Sequence, residues 1–110
     1  NLYKEHEMTN PKVTPQDVEG SIAEEYYFTA AEGVGPLPAG HPLSMITFCV
    51  LVTENRHTVV GVAYCANPET FDAQVGRDWA RKEAIDNLYP MVVYAARDAS
   101  LHEENPQRKP

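Results

Sequence analysis

Three arginines and one phenyl ring, all in the last forty residues of the chain, are the residues whose types and spacing could do chemistry. Arg77 and Arg81 are i, i+4 neighbours, so on a helix they point the same way. Two adjacent guanidinium forks make a phosphate clamp, because each fork matches a pair of phosphate oxygens. The same pair is equally placed to meet Asp72, Asp78 or Glu83, or an acidic partner surface. Arg97 joins them if a break at Pro90 folds the following segment back. Phe71 follows a polar loop at the start of the same helical stretch. It reads either as a core staple or as a platform for a nucleobase, where stacking is worth about 1–3 kcal/mol.

Other chemistry is poorly represented. His41, His57 and His102 are scattered, and none has metal-ligand or catalytic spacing with a carboxylate or cysteine. Ser21 and Ser44 stand alone, and no phosphate loop, dinucleotide fingerprint or nucleophile elbow occurs. Cys49 and Cys65 lie in apolar, strand-like stretches and read as small buried hydrophobes, positioned to face each other across a hairpin. The expectation is a binding protein rather than an enzyme, with no metal and no cofactor.

Composition narrows the partners. Nine Lys and Arg stand against 16 Asp and Glu in 110 residues, a net charge of −7. From Val13 to Asn55 there is no Lys or Arg, while Arg77, Arg81, Lys82 and Arg97 cluster later. Nucleic-acid binding needs a broad basic surface, which this chain lacks. A small anion held by a few arginines stays compatible with the net charge. No apolar run approaches the roughly 18 residues that span a bilayer, so no membrane partner is expected. With no secretory signal visible, cytoplasm is the default compartment. A chain this short buries a modest share of its surface, which favours self-association.

The elements that must position these residues follow from patterning. Residues 1–12 are polar and aperiodic and read as a disordered segment, with Met8 a candidate natural start after residues 1–7. Thr14-Pro15-Gln16-Asp17 combines a cap, a first-turn proline and a first-turn acid, predicting a helix over Pro15–Glu25 with Val18 and Ile22 buried. Tyr26–Ala30 favours extended chain, as a short strand or a last helical turn. Glu32–Pro42 is a long Gly/Pro loop. Ser44–Val52 and Thr58–Cys65, joined by the polar Glu54–His57, predict an antiparallel hairpin. Asn67-Pro68 repeats the cap-then-proline signal, predicting a helix over Pro68–Leu88 whose apolar side includes Phe71, Val75, Trp79 or Ala80, and Leu88. Gly76 within it suggests close approach of another backbone. Pro90 should break or kink the chain before a second helix, Met91–Leu101. The tail, residues 103–110, reads as mobile. The fold class is therefore α+β: one domain, residues 13–102, with a small antiparallel sheet built on the 44–65 hairpin and packed by an N-terminal and two C-terminal helices.

Three stretches taken together carry a resemblance: Val13–Val34, Met45–Asp72 and Gly76–Arg97. Tyr-Phe-Thr-Ala after the first helix, Cys-Val-Leu in a strand, Pro-x-x-Phe-Asp, Gly-Arg-x-x-Ala-Arg and a Tyr-Pro step occur in that order. The pattern resembles a family of small tailed-phage accessory proteins, to which the first type of Thoeris anti-defence protein is similar. The resemblance implies a sponge in the cytoplasm of the infected bacterial host. It would bind cyclic ADP-ribose-type signals, and in some relatives cyclic oligonucleotides, without cleaving them. It also implies a dimer with ligand at the protomer interface, further joined into a hexamer. On this chain the aromatic platform maps to Phe71, and the phosphate contacts to Arg97, then Arg77 and Arg81. Glu83 departs from the family's frequent Asn, and Met91-Val92-Val93-Tyr94 departs from its Leu-Glu-Gly-Tyr. A competing reading is an acidic inhibitor, or DNA mimic, acting on a host protein, with Asp17–Glu32 as an exposed ridge and the arginines spent on internal pairs.

Overall fold

The computed structural model describes residues 12–104. Helix α1 (Pro15–Gly20) leads directly into strand β1 (Ile22–Thr29). A five-residue helix α2 (Ala30–Val34) and a 3-10 turn (Pro42–Met45) then connect to strand β2 (Ile46–Thr53). Strand β3 (Thr58–Tyr64) and a single helix α3 (Ala73–Glu104) complete the chain. The strands form one antiparallel sheet in the order β1-β2-β3. The architecture is α+β, and the expected hairpin is its β2–β3 pair. The expected disordered segment and mobile tail lie largely outside the described residues.

The start of α1 follows its sequence signals. Thr14 accepts from the Asp17 amide at 3.2 Å, while the Asp17 carboxylate accepts from the Thr14 amide at 2.8 Å. The two bonds satisfy amide groups that a helix start leaves open. The helix then stops at Gly20, five residues short of the expected Glu25. Glycine is a weak helix former, and Ile22–Thr29 is rich in β-branched and aromatic residues. Pairing with β2 from Ile22↔Thr53 to Thr29↔Thr47 decides the conformation.

The sheet has two unlike faces. In β2 burial alternates strictly, with Thr47, Cys49, Leu51 and Thr53 buried and the residues between them part-exposed. The buried face receives α3 and α1. Val18, Cys49, Leu51, Val59, Ala80, Ala84 and Leu88 form the core, flanked by Ile22, Tyr27, Ile85 and Tyr89. Tyr89 also donates its hydroxyl to the Val13 carbonyl at 2.9 Å, tying the segment just before α1 to α3.

Gly61 sets how closely helix and sheet approach. A Cβ there would lie 1.9 Å from the Ala80 carbonyl oxygen and 2.4 Å from the Ala84 amide nitrogen. The seam of α3 is therefore Ala80–Ala84–Leu88, at i, i+4, i+8. At Gly76 the near neighbour is the Thr47 side chain, 2.8 Å from where a Cβ would stand, rather than another backbone.

Two further expectations are corrected. The helix begins at Ala73, not Pro68. Asn67 instead closes a local turn, accepting from the Glu69 amide at 2.9 Å. Asp72 is the cap, its carboxylate accepting from the Gln74 and Val75 amides at 2.9 and 3.2 Å. Pro90 does not divide the helix, which runs unbroken through it for 32 residues. Proline removes one backbone bond and crowds the carbonyl four residues earlier. Both Asp86 and Pro90 are exposed, so water can serve the released carbonyl. At 1.5 Å per residue α3 is about 48 Å long, and eight-residue strands span only about 27 Å. The C-terminal half of α3 therefore extends past the sheet, in keeping with overall dimensions of 59 × 29 × 17 Å.

Candidate aromatic groove

A groove of about 550 Å³ lies where the end of β3, the 65–72 loop and the first turns of α3 meet. The cap at Asp72 starts α3 immediately after Phe71 and brings the phenyl ring into the groove wall. Trp79 and Tyr64 stand over the opening, 61% and 77% exposed. Sequence reasoning left Trp79 or Ala80 as the apolar-side residue, of which Ala80 is the buried one, and passed over Tyr64. The signal for both was the small-residue seam of α3. Once Ala80 and Ala84 are the buried positions, Trp79 must lie to one side, over the edge of β3.

Backbone groups also reach the groove. Asn87 donates its side-chain amide to the Val60 carbonyl at 2.9 Å, so Val60 directs its peptide groups away from β2. In an antiparallel pair, alternate residues share that direction. Val62 and Tyr64, both on the groove wall, thus present their N–H and C=O to it. The remaining wall charges are Lys82, Asp72, Glu83 and Asp86. Asp72 is engaged at the helix start, and Lys82 pairs with Asp86 at 3.2 Å. Glu83, the departure from the resembled pattern, stands on the wall itself.

Of the four residues expected at the site, the structure brings only Phe71 to the groove. Arg77 and Arg81 sit two positions either side of Trp79, about 200° around the helix, and so face away. Arg81 is gripped by two carboxylates. Its Nη1 and Nη2 reach Glu19 at 2.8 and 2.6 Å, and its Nε reaches Glu25 at 2.9 Å. It joins α1, β1 and α3. These bonds hold Glu19 and Glu25 below the usual carboxylate range and push the guanidinium up. Arg77 is half-buried and donates to Gln74 at 3.3 Å. Arg97 is exposed on the extending part of α3, 18 residues beyond Trp79. That is five turns on the same helix face, about 27 Å along the axis. The fold-back that would have joined it to Arg77 and Arg81 does not occur.

Other polar chemistry is structural. The β2–β3 register sets Cys49 opposite Gly61, not opposite Cys65, and both thiols are free. Burial pushes the Cys49 thiol up. Tyr27 donates to Glu25 at 2.8 Å, and burial with that carboxylate raises its phenol. His41 accepts the Leu43 amide at 3.1 Å within the 3-10 turn. Among the described residues no group of three or more His, Cys, Asp or Glu is arranged to hold a metal ion, and no helix is long and apolar enough to cross a membrane.

Residues 13–100 match the model of the Phage protein (N4 Gp49/phage Sf6 gene 66) family, a span running from Val13, bonded by Tyr89, to the last turns of α3. No curated protein and no solved structure matches the chain. With most of its length covered by that one match, the chain belongs to the N4 Gp49/phage Sf6 gene 66 family of phage proteins.

Proposed function

We propose that this phage protein binds and sequesters a cyclic nucleotide signal, of cyclic ADP-ribose or cyclic oligonucleotide type, without cleaving it. The supporting observation is the groove in which Phe71, Trp79 and Tyr64 converge. Aromatic faces grip any base by stacking. The outward peptide groups of Val62 and Tyr64 suit the hydrogen-bonding edge of a base. Carboxylates such as Glu83 accept from ribose hydroxyls or exocyclic amines.

Charge fixes how phosphate would be held. Arg77 and Arg81 face away from the groove, and Lys82 is the basic side chain on its wall, already paired with Asp86. A guanidinium for the phosphates therefore comes from a second copy. Arg97 is exposed, lies on the face of α3 that carries Trp79, and extends past its own sheet. The protein acts as an oligomer in this reading, as anti-defence sequestration in the host cytoplasm requires no chemistry on the ligand. The competing acidic-inhibitor reading is less well supported. Arg81 and Arg56 are spent on internal pairs, as that reading expects, but those pairs occupy Glu19, Glu24 and Glu25, and Asp17 and Glu32 cap helices, so the 17–32 acids are not a ridge of unpaired carboxylates.

Thermal-shift titration with cyclic ADP-ribose isomers and cyclic di- and trinucleotides tests the proposal. A ligand at 100 times its Kd adds about 2.7 kcal/mol to stability, a clear rise in Tm. Phe71→Ala should weaken that ligand by about 5- to 150-fold, the equivalent of 1–3 kcal/mol. Arg97→Ala should weaken it more than Arg108→Ala. An unchanged Tm across the whole panel refutes the proposal.

A further inference from the structure

One carboxylate on the groove wall takes no part in holding the fold. Asp72 caps α3 and Asp86 is paired with Lys82 at 3.2 Å. The Glu83 side chain, on the same wall, carries no hydrogen bond or ion pair among the described residues. Its neighbours one turn away on α3 are Trp79, Ala80, Asp86 and Asn87, and none is a cation. Lys82, adjacent in sequence, is taken by Asp86. Glu83 lies four residues after Trp79, so its carboxylate and the exposed indole share one face of the helix.

Two hydrogen bonds fix what stands across from Glu83. Cys65 donates its amide to the Met45 carbonyl at 3.1 Å, and the Asn87 side chain donates to the Val60 carbonyl at 2.9 Å. Odd-numbered residues at this end of β3 therefore turn their peptide groups toward β2, and even-numbered ones turn theirs outward. Helix and strand run in opposite directions. One turn back from Asn87, about 5.4 Å along α3, is Glu83. Two residues on from Val60, about 6.8 Å along β3, is Val62. The outward amide of Val62 and the carboxylate of Glu83 thus flank the same part of the groove, beside the Trp79 ring.

We propose that this groove selects guanine among the nucleobases and that Glu83 is the residue that reads it, a proposal that rests on the groove being a nucleotide site. A base stacked on Trp79 turns its pairing edge toward the residue one turn further along the helix, the usual way an unpaired base is read. Guanine carries two donors side by side on that edge, N1–H and the N2 amine. A carboxylate accepts both at once through its two oxygens. The O6 acceptor beside N1 requires a donor, and the Val62 amide is one. Adenine and cytosine instead place a ring-nitrogen lone pair next to their single amine, and uracil places its one N–H between two carbonyls. Each of these sets a lone pair against the carboxylate, and a polar group so opposed costs more than a bond merely absent.

The experiment is isothermal titration of the full chain with guanosine, inosine and adenosine 5′-monophosphates and with cyclic di-GMP and cyclic di-AMP. Trp79 emission, excited at the red edge, is recorded alongside to place each ligand. The guanosine compounds should bind at least about 10-fold more tightly than the adenosine ones, the low end for a bond to a charged group. Inosine, which keeps N1–H and O6 but lacks the N2 amine, should fall between. Glu83→Gln should reverse the order, because a carboxamide offers one acceptor and one donor, the complement of the adenine amine and N1. Glu83 is exposed on the helix surface, and glutamine matches its size and helix propensity, so the fold is retained. Adenosine compounds that bind as tightly as guanosine ones overturn the proposal, as does an order left unchanged in Glu83→Gln. In both cases a Trp79 response still marks the groove as a nucleotide site. If no nucleotide of any base binds at millimolar concentration, the nucleotide site and the guanine proposal fall together.

Discussion

Replacing Gly61 with alanine should be the most damaging single-methyl change in the protein. The added Cβ would stand 1.9 Å from the Ala80 carbonyl oxygen, 2.4 Å from the Ala84 amide nitrogen and 2.9 Å from the Ala84 Cβ. The obstruction is helix backbone, so no side chain can rotate away. Restoring ordinary separations requires α3 to retreat from β3 by more than about 1 Å. That retreat thins the contacts of Leu51, Cys49 and Leu88, which are fully buried. Overpacking of this kind costs about 1–3 kcal/mol, and the rigid obstacle places Gly61→Ala near the top of that range. The loss of glycine freedom in the unfolded chain returns about 0.4–1 kcal/mol. The net cost is about 2–3 kcal/mol, a large part of the roughly 5–15 kcal/mol that holds a domain folded. For a domain of this size Tm should fall by about 8–24 °C. Gly20→Ala is the control, since nothing lies within 4 Å of its Cβ position and it sits in a helix. It should be neutral or mildly stabilising. Both are read by thermal and urea unfolding followed by far-UV circular dichroism, at one protein concentration so that self-association is matched. If Gly61→Ala melts with wild type and with Gly20→Ala, the docking of α3 on β3 through the Ala80–Ala84 seam is wrong.

Three further measurements follow. Arg81→Gln should cost about 1 kcal/mol at neutral pH, because its carboxylate partners are part-exposed. Since the folded state holds Glu19 and Glu25 below their ordinary 4.5, mainly through their bonds to Arg81, the stability they contribute is present above that pH and lost as pH falls through the folded values. The acid limb of the Tm–pH curve should therefore flatten in Arg81→Gln, and an unchanged limb would disprove the assignment. Iodoacetamide under native conditions should modify the part-exposed Cys65 and spare buried Cys49, which should react only on unfolding; mass mapping decides. Trp79 is the sole tryptophan, so any ligand seated in the groove should quench its fluorescence, and a thermal stabiliser that leaves the emission untouched binds elsewhere.

Much of the fold is legible in the sequence, for local reasons. Thr14-Pro15-Gln16-Asp17 starts α1 because its cap needs only near neighbours, and the β2–β3 hairpin follows from apolar runs around a polar turn. What fails locally is decided at longer range. Ile22–Glu25 carries helical spacing from Val18, yet pairs with β2. Pro90 signals a break, yet a helix anchored by Ala84 and Leu88 and exposed at the proline accommodates it. The site is harder to read for one geometric reason. Arg77, Trp79 and Arg81 lie within five residues, and proximity in sequence suggests a shared surface. Which face of the helix is buried depends on Gly61, some twenty residues earlier in the chain. Its missing Cβ admits Ala80 and Ala84 and thereby rotates Trp79 toward the β3 edge and Arg81 toward Glu19 and Glu25. The aromatic and cationic halves of the expected site are thus driven to opposite sides of one helix by a single glycine. A ligand that needs a guanidinium beside those rings does not find one on the groove wall of this chain, where Lys82 is the basic side chain.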